Sequence, residues 1–261
     1  MHESKPSISA LVVCQNEESN IARCLESLAF CHEIILVDGG SSDATLDIAG
    51  KFTDNIFHNP YKGCNSQKEF ARQKACGRWV LNLDADEWLS LEGRAEIEQV
   101  IAKPEGRSGF EIPVKTFIGE RWIKRAGYWP NRKKRFFLRE AGFWDTLREP
   151  HDSVKLSGDW GRFKQPIMHR TAKSVEEVVE KARINGQLAA AKRRESQNES
   201  SHLSLLAKAQ TQTQALSHAS WRFFRSYILK MGILEGRLGL RLALAGFWEA
   251  FEKYGGGSLK G

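Results

Sequence analysis

The sequence predicts an α/β fold: a parallel sheet covered by helices, followed by a helical C-terminal extension. Three observations predict it. The short apolar runs Ile8–Cys14, Glu33–Asp38 and residues 78–84 read as buried parallel strands. Segments with helical spacing lie between them, so strand and helix alternate up to residue 84. After Pro166 the pattern turns helical and basic.

The elements follow in order. ISALVVC (residues 8–14) is the first strand, and after polar QNEESN the run IARCLESLAF sets Ile21, Leu25 and Leu28 at helical spacing. The second strand, EIILVD, ends in a tight turn of Gly39, Gly40, Ser41 and Ser42. Residues 43–49 read as a helix with Asp43 as its N-cap. Residues 55–58 are a third short strand, residues 66–75 a helix, and RWVLNLD (78–84) the fourth strand. Residues 108–165 are rich in Trp, Phe, Gly and Arg, with short strands at 109–114 and 135–139. They read as an irregular or antiparallel half that completes the domain. Ser174-Val-Glu-Glu is a capping box that opens a helix to about Arg194. Residues 203–220 read as helical, and 221–254 as an aromatic, basic helical region that Gly232, Gly236 and Gly239 can kink.

Composition sets the outer limits. With 261 residues, 41% hydrophobic and 27% charged, the chain is globular, which excludes long disorder, collagen-like repeats and coiled-coil arrays. Residues 1–160 hold 22 Lys/Arg against 24 Asp/Glu, and residues 161–261 hold 17 against 8. A basic rear half suits an anionic partner: nucleic acid, a phospholipid surface or a phosphorylated glycolipid. Five cysteines without C-x-x-C spacing argue against a disulfide framework or a zinc site and fit a reducing compartment. The opening residues lack the long apolar core of a signal peptide, and no uncharged stretch reaches the roughly 18 apolar residues of a spanning helix. The expected location is cytoplasmic, with peripheral association at the inner face of the cytoplasmic membrane.

In such sheets ligands bind beyond the carboxyl ends of the strands. Those ends carry acids: Gln15-Asn16-Glu17-Glu18, Asp38-Gly39-Gly40 and Asp84-Ala85-Asp86-Glu87. Asp84 and Asp86, two residues apart beyond an apolar strand, reach one crevice if the chain turns there. Hard oxygen ligands beside a pyrophosphate are what Mg²⁺ or Mn²⁺ requires, and such an ion neutralises a departing nucleoside diphosphate. The alternative is a strand end capped by acids. In the loop after the second strand, small residues let the backbone approach a ligand, and Asp38 can accept from a base N–H. Asp43 is better explained as a helix cap. Asn16, Glu17 and Glu18 suit ribose hydroxyls or a base edge, or else the positive end of a helix. No G-x-G-x-x-G or G-x-x-x-x-G-K-[ST] occurs, so a dinucleotide fold is unsupported and a P-loop is excluded.

The order and spacing of strand-NEE, strand-VDGGSSD and strand-LDADE resemble the family 2 glycosyltransferases of the GT-A fold. Residues 67–71 (QKEFA), 135–139 (RFFLR), the pair His151-Asp152 and residues 221–224 (WRFF) are similar to one subgroup. That subgroup is the bacterial lipopolysaccharide inner-core β-glucosyltransferases that act on heptose. The similarity spans about residues 7–252. It implies a Rossmann-like GT-A catalytic domain over residues 1–170 and a helical, basic, membrane-interfacial extension over residues 171–261. It implies a UDP-sugar donor bound by Asn16, Glu18, Asp38, Gly40, Lys68 and Asp84. It implies a divalent cation, Mg²⁺ or Mn²⁺, on Asp86. His169 matches a histidine that reaches the metal in many such enzymes, against the alternative of a satisfied structural histidine. Inversion in one displacement needs a carboxylate base. Asp152 is the first candidate and Glu149 the second, because the subgroup carries His-Glu where this chain has His151-Asp152.

Residues 112–139 hold nine Lys/Arg against the single acid Glu120, interleaved with Trp122, Tyr128, Trp129 and Phe136. Arginine forks grip phosphate and aromatic faces stack on sugar rings, so Trp122, Arg125, Arg135 and His151 are the acceptor-binding candidates. Trp221, Phe224, Ile228 and Met231 form an apolar stripe opposite Arg222, Arg225 and Lys230, an interfacial-helix pattern whose alternative is packing on the catalytic domain. The expected reaction moves a hexose, glucose first, from a UDP-sugar to a phosphorylated glycolipid at an anionic membrane surface. Rival readings are transfer to a polyprenyl phosphate or another polysaccharide primer, and a non-enzymatic nucleic-acid binder. No nucleic-acid partner is expected.

Overall fold

The computed structural model describes residues 7–147, 154–196 and 205–255. Contacts divide the chain into two units: Met1–Lys115 with Asn131–His169, and Thr116–Pro130 with Arg170–Gly261.

The first unit opens with β1 (Ile8–Cys14), α1 (Ile21–Ser27), β2 (Glu33–Asp38), α2 (Thr45–Ala49), β3 (Ile56–His58), α3 (Cys64–Lys74) and β4 (Trp79–Asp84). β5 (Glu87–Leu89) and α4 (Leu91–Ala102) follow. Next along the chain are β6 (Gly109–Ile118), β7 (Arg121–Trp122), β8 (Asn131–Leu138), β9 (Gly142–Trp144), β10 (Val154–Leu156), β11 (Trp160–Arg162) and β12 (Ile167–Ala172), of which β7 and the last residues of β6 and β12 belong to the second unit. The sheet order is β3-β2-β1-β4-β8-β6-β12-β5. β3, β2, β1 and β4 are parallel, while β8 runs antiparallel to both β4 and β6. One half of the sheet is thus the predicted parallel α/β pattern, and the other is mainly antiparallel, with β11 pairing parallel to β6.

Alternation along β1 explains the two-sided core. Ile8, Ala10, Val12 and Cys14 join the cluster that α1 packs upon, through Ile21, Cys24 and Leu25. Leu11 points the other way, into a cluster with Ala71 and Ala75 from the α3 region. Strands buried on both faces read as continuous apolar runs, which is why ISALVVC and WVLNLD were legible. The antiparallel half is sealed by aromatics: Trp79 stacks on Phe136 at 4.8 Å, and Phe110 meets Phe163 at 5.1 Å.

Three elements depart from the sequence expectation. β5 and α4 were not anticipated; α4 buries only Gly93 and Ile97, so its apolar stripe is thin, and it begins at Ser90, whose Oγ accepts from Gly93 N at 3.1 Å. Directly after Pro166 the chain forms β12 before turning helical, because residues 167–169 pair antiparallel with β5.

The second unit is built on α5 (Val175–Ser196), α6 (Leu205–Phe224) and α7 (Arg237–Gly255). A π-helical turn (Arg225–Leu229) and a 3₁₀ turn (Gly232–Glu235) join the last two. The N-cap Ser174 accepts from Glu177 N at 3.3 Å. α7 packs against both α5 and α6. Its seams are made of small residues: Ala182, Gly186 and Ala190 from α5, Ala215 and Ala219 from α6. A Cβ on Gly186 would stand 3.0 Å from the Glu249 carbonyl oxygen, so the α5 and α7 backbones meet there. Ion pairs close the edges, Arg222 to Glu249 at 2.6 Å and Arg241 to Glu176 at 2.7 Å. Residues 116–130, which the sequence assigned to the front domain, belong to this unit. Ile118 and Ile123 share a cluster with Leu238 and Leu242. Among the described residues, no helix is long and apolar enough to cross a membrane.

Candidate active site

The parallel pairing sets Cys14 opposite Asp38 and Val13 opposite Asp84, so the three acidic strand ends lie side by side. A pocket of about 280 Å³ opens there, lined by Val13, Cys14, Gln15, Glu17, Tyr61, Asp84, Ala85, Asp86 and His169.

Asp38 is buried, and its own loop occupies its oxygens. Gly40 N donates at 2.9 Å, Ser41 N at 3.0 Å and Ser41 Oγ at 2.6 Å, while His58 Nδ1 lies 3.3 Å away. Burial opposes its ionisation, but the bonds from Ser41, Gly40 and His58 outweigh it and hold the carboxyl below the usual range. Gly40 has φ of 107°, a conformation natural to glycine, and this aims its N–H at Asp38. The loop after β1 is laced to this one. Asn16 Oδ1 accepts from Ser42 N at 2.8 Å, Asn16 N donates to Ser41 Oγ at 2.9 Å, and Glu18 Oε2 accepts from Ala44 N at 3.2 Å. Asp43 is not the cap the sequence expects: the N-cap is Ala44, and Asp43, one residue earlier, accepts from Thr45 N at 3.0 Å in the turn that leads into α2. Cys14 is inert at the pocket wall: burial first, then the Asp38 charge, push its thiol up to about 12.

Asp84 and Asp86 have different surroundings. Asp84 meets Lys68 Nζ at 2.8 Å, the Arg135 guanidinium, and Lys133 Nζ at 4.0 Å. Burial would raise its pKa, but Arg135, Lys68 and Lys133 outweigh that and hold the carboxyl well below its usual range. Glu87 is fully buried behind it, accepting from Arg135 at 2.9 Å and from the Asp84 backbone N–H at 3.0 Å. This corrects the acceptor reading of Arg135: the residue is buried and spent on Asp84 and Glu87. Lys68 is likewise buried against Asp84. Glu87 was read only as one of the acids at this strand end, and Lys133 only as part of the basic run of residues 112–139. Glu87 carried one signal, an acid directly after D-x-D.

Asp86 instead faces a histidine, with His169 Nε2 3.1 Å from its Oδ2 and both side chains partly open on the pocket. The β12–β5 pairing sets His169 opposite Glu87, beside the Asp84–Asp86 turn. Burial pulls the imidazole pKa down, but the hydrogen bond and charge of Asp86, with Glu87 behind, outweigh it and raise it above the ordinary histidine value. No cluster of three or more His, Cys, Asp or Glu side chains suited to a metal occurs among the described residues. One carboxylate and one imidazole on an open pocket nonetheless fit a cation that takes its remaining ligands from phosphate oxygens and water. Asp84 does not fit that role, being compensated by three cations.

Glu149, His151 and Asp152 lie outside the described residues. Trp122 and Arg125 lie in the second unit. Trp122 packs edge-to-face on Trp129 at 5.6 Å with Lys124 over its ring at 4.8 Å. Arg125 is exposed, and its backbone N–H donates to Glu235 at 3.1 Å. The basic segment of residues 112–139 is therefore shared between the two units.

An α/β sheet with acids at the ends of β1, β2 and β4, a histidine returning on a later strand and a pocket over the D-x-D turn fits the glycosyltransferase class that the sequence reading expects. The sequence model of glycosyl transferase family 2 matches residues 9–147, more than half of the chain and all three acidic strand ends. The protein belongs to glycosyl transferase family 2: it is an enzyme with a GT-A type α/β fold and a C-terminal helical region. It is similar to the lipopolysaccharide core biosynthesis glycosyltransferase LpsC of Rhizobium meliloti, 28% identical over 159 residues, or 59% of each chain. The chain thus spans about three fifths of that relative's length. It is also 27% identical to an uncharacterized glycosyltransferase of Rickettsia conorii over 240 residues, 88% of this chain and 82% of that protein. Among solved structures, S. aureus TarS 1-349 aligns over 94% of this chain and 90% of that one, with 18% identity and a TM-score of 0.49.

Proposed function

We propose that this enzyme transfers a hexose, glucose first among the candidates, from a UDP-sugar to a lipid-linked acceptor with inversion, the acceptor being heptose of the lipopolysaccharide inner core. The observation that carries the reading is the split pair at the D-x-D turn. Asp84 is tied into a cationic cluster, while Asp86 and His169 stand together on an open pocket. Likeness to LpsC, named for lipopolysaccharide core biosynthesis, supports the acceptor class.

The residues divide the work as follows. Asp38 organises the Gly40–Ser41 turn, and a uracil N–H would share one of its oxygens. Asn16 and Glu18 hold that turn against the loop after β1, where the ribose would lie. Lys68 and Arg135 orient Asp84 toward ribose or donor sugar. Asp86 and His169 would hold Mg²⁺ or Mn²⁺, which supplies Lewis-acid neutralisation of the departing diphosphate. Lys133, one third exposed and 3.6 Å from Glu87, adds positive charge beside that path. The acceptor proton goes to Asp152 or Glu149, with His151 beside it. Trp122 and Arg125 contribute to a phosphorylated acceptor's binding surface, and the enzyme works peripherally at the inner membrane face.

Calorimetric titration with UDP-glucose, UDP-galactose, UDP-GlcNAc and GDP-mannose, each with and without Mn²⁺, tests the donor half. Cation-dependent binding of one uridine donor is expected. Binding that ignores the cation, or prefers GDP-mannose, overturns it. Transfer onto heptose-terminated lipopolysaccharide, assayed against polyprenyl phosphate, tests the acceptor half.

A further inference from the structure

We propose that the α6–α7 junction, residues 225–237, is a membrane-docking element that inserts its apolar tip into an anionic lipid interface. It deepens the lipid-linked acceptor reading and rests on it for its purpose.

The tip is unusual in what it exposes. Ile228, Leu229, Met231, Ile233 and Leu234 are each between 44% and 61% exposed. Singly exposed apolar side chains need no explanation, but five within seven residues of one turn do. The turn is also a held conformation. Lys230 N donates to Arg225 O at 2.9 Å, Met231 N to Ile228 O at 2.9 Å and Gly236 N to Ile233 O at 3.1 Å. The π-helical and 3₁₀ turns, with Met231 at φ of 54°, replace the 3.6-residue period that would have drawn part of this run inward. Trp221 and Phe224 on α6, and Leu240, Leu244 and Trp248 on α7, extend the exposed apolar surface from both ends of the turn.

Charge selects the occupant. Arg225, Lys230 and Arg237 are exposed around the tip, and residues 200–234 contain no acid. The first acid after them, Glu235, is buried. It accepts from Arg121 Nη2 at 3.1 Å and from the backbone N–H groups of Lys124 and Arg125 at 3.0 and 3.1 Å. That inward carboxylate ties the loop of residues 121–129 to the tip, as do Ala126 N to Lys230 O at 2.9 Å and Ser226 Oγ to Ala126 O at 3.3 Å. Exposed Lys124 and Arg125 therefore ride on the same element as the apolar tip. An apolar tip collared by cations matches a surface that is apolar below and anionic above. A second copy of this chain would bring the same cations together across a two-fold axis.

The test is co-sedimentation of the full chain with vesicles of phosphatidylethanolamine and phosphatidylglycerol, compared with pure phosphatidylcholine. Preference for the anionic vesicles, weakened by salt, is expected. Leu229→Ser with Leu234→Ser should cut binding at least about ten-fold. Arg225→Gln with Lys230→Gln should cut it about five-fold per charge on anionic vesicles only. Leu188→Ser, an exposed leucine on α5, should leave it unchanged. Equal binding to both vesicle types, or indifference to the tip variants, overturns the proposal. So does a dimer on size-exclusion chromatography that the Leu229/Leu234 variant disperses while wild type ignores vesicles. UDP-sugar titration of the same preparations separates the two readings. A chain that binds donor but no vesicle overturns the docking element alone, and one that binds vesicles but no donor overturns the donor reading alone.

Discussion

Replacing Arg135 tests whether the cluster behind the D-x-D turn is as electrostatically tight as its geometry indicates. Arg135 is 1% exposed, and its guanidinium bridges Asp84 and the fully buried Glu87. Arg135→Met keeps most of the apolar stem and leaves Glu87 buried with one cation in reach, Lys133 at 3.6 Å. Removing one partner of a buried pair typically costs about 3–5 kcal/mol, because the remaining charge loses compensation. Lys133 is one third exposed and the Asp84 backbone N–H still donates to Glu87, so the lower end applies, roughly 3 kcal/mol. Urea unfolding followed by tryptophan fluorescence, one of whose eight sources, Trp79, stacks on Phe136 next to Arg135, reads this. The double variant Arg135→Met with Glu87→Leu removes both charges and should recover most of the loss, since apolar replacement of a whole buried pair is often near neutral. A single-variant cost under about 1 kcal/mol, or a double variant no more stable than the single, refutes the reasoning.

Three further outcomes are expected. Asp86→Ala, at a partly exposed position, should abolish cation-dependent donor binding while changing stability by no more than about 0.5 kcal/mol, checked by calorimetry and denaturation on one preparation. Asp38→Asn should destabilise by about 1–3 kcal/mol at pH 7, because an amide N–H₂ cannot accept from the Gly40 and Ser41 backbone. The folded pKa of Asp38 lies below its unfolded value, so its stabilisation is present above about pH 4 and is lost as pH falls through the folded value. The gap between wild type and variant should therefore narrow in acid, and a gap constant down to about pH 3 would contradict the assignment. Gly186→Ala places a methyl 2.8 Å from Glu249's helical neighbour Glu252 and 3.0 Å from the Glu249 carbonyl, and should cost about 1–3 kcal/mol in a melt that reads the helical unit.

How much of this was visible in the chain depends on the range of the interaction. β1, β2 and β4 were legible because burial on both faces makes each a continuous apolar run. The acids at their ends were legible because a charge marks where such an apolar run stops, although Asp38 stays buried, held by its own loop. Ser174 as the opening of α5 was legible because its bond to Glu177 N closes within three residues. α4 was missed because only two of its residues are buried. β12 was missed because its partner, β5, is a three-residue strand with no pattern of its own. Arg135 was placed on the acceptor surface because a run of Arg and Lys looks alike whether its members point in or out. Only the alternation of β8, with Phe136 and Phe137 buried beside it, decides that Arg135 reaches Asp84 across 51 positions.

The sequence by itself determined the α/β alternation, the three acidic strand ends and the family, since each rests on local periodicity or on residues within a few positions of one another. The tertiary structure decided which acid is compensated and which is open. It brought His169 to Asp86 across 83 positions and drew residues 116–130 into the helical unit. It also turned Glu235 inward, so that Arg225, Lys230 and Arg237 are the exposed charges on the described residues of the tip. The reason is the same in each case: a side chain's charge is written in the chain, but whether that charge meets water, a counter-ion or a bound phosphate is settled by segments distant in sequence.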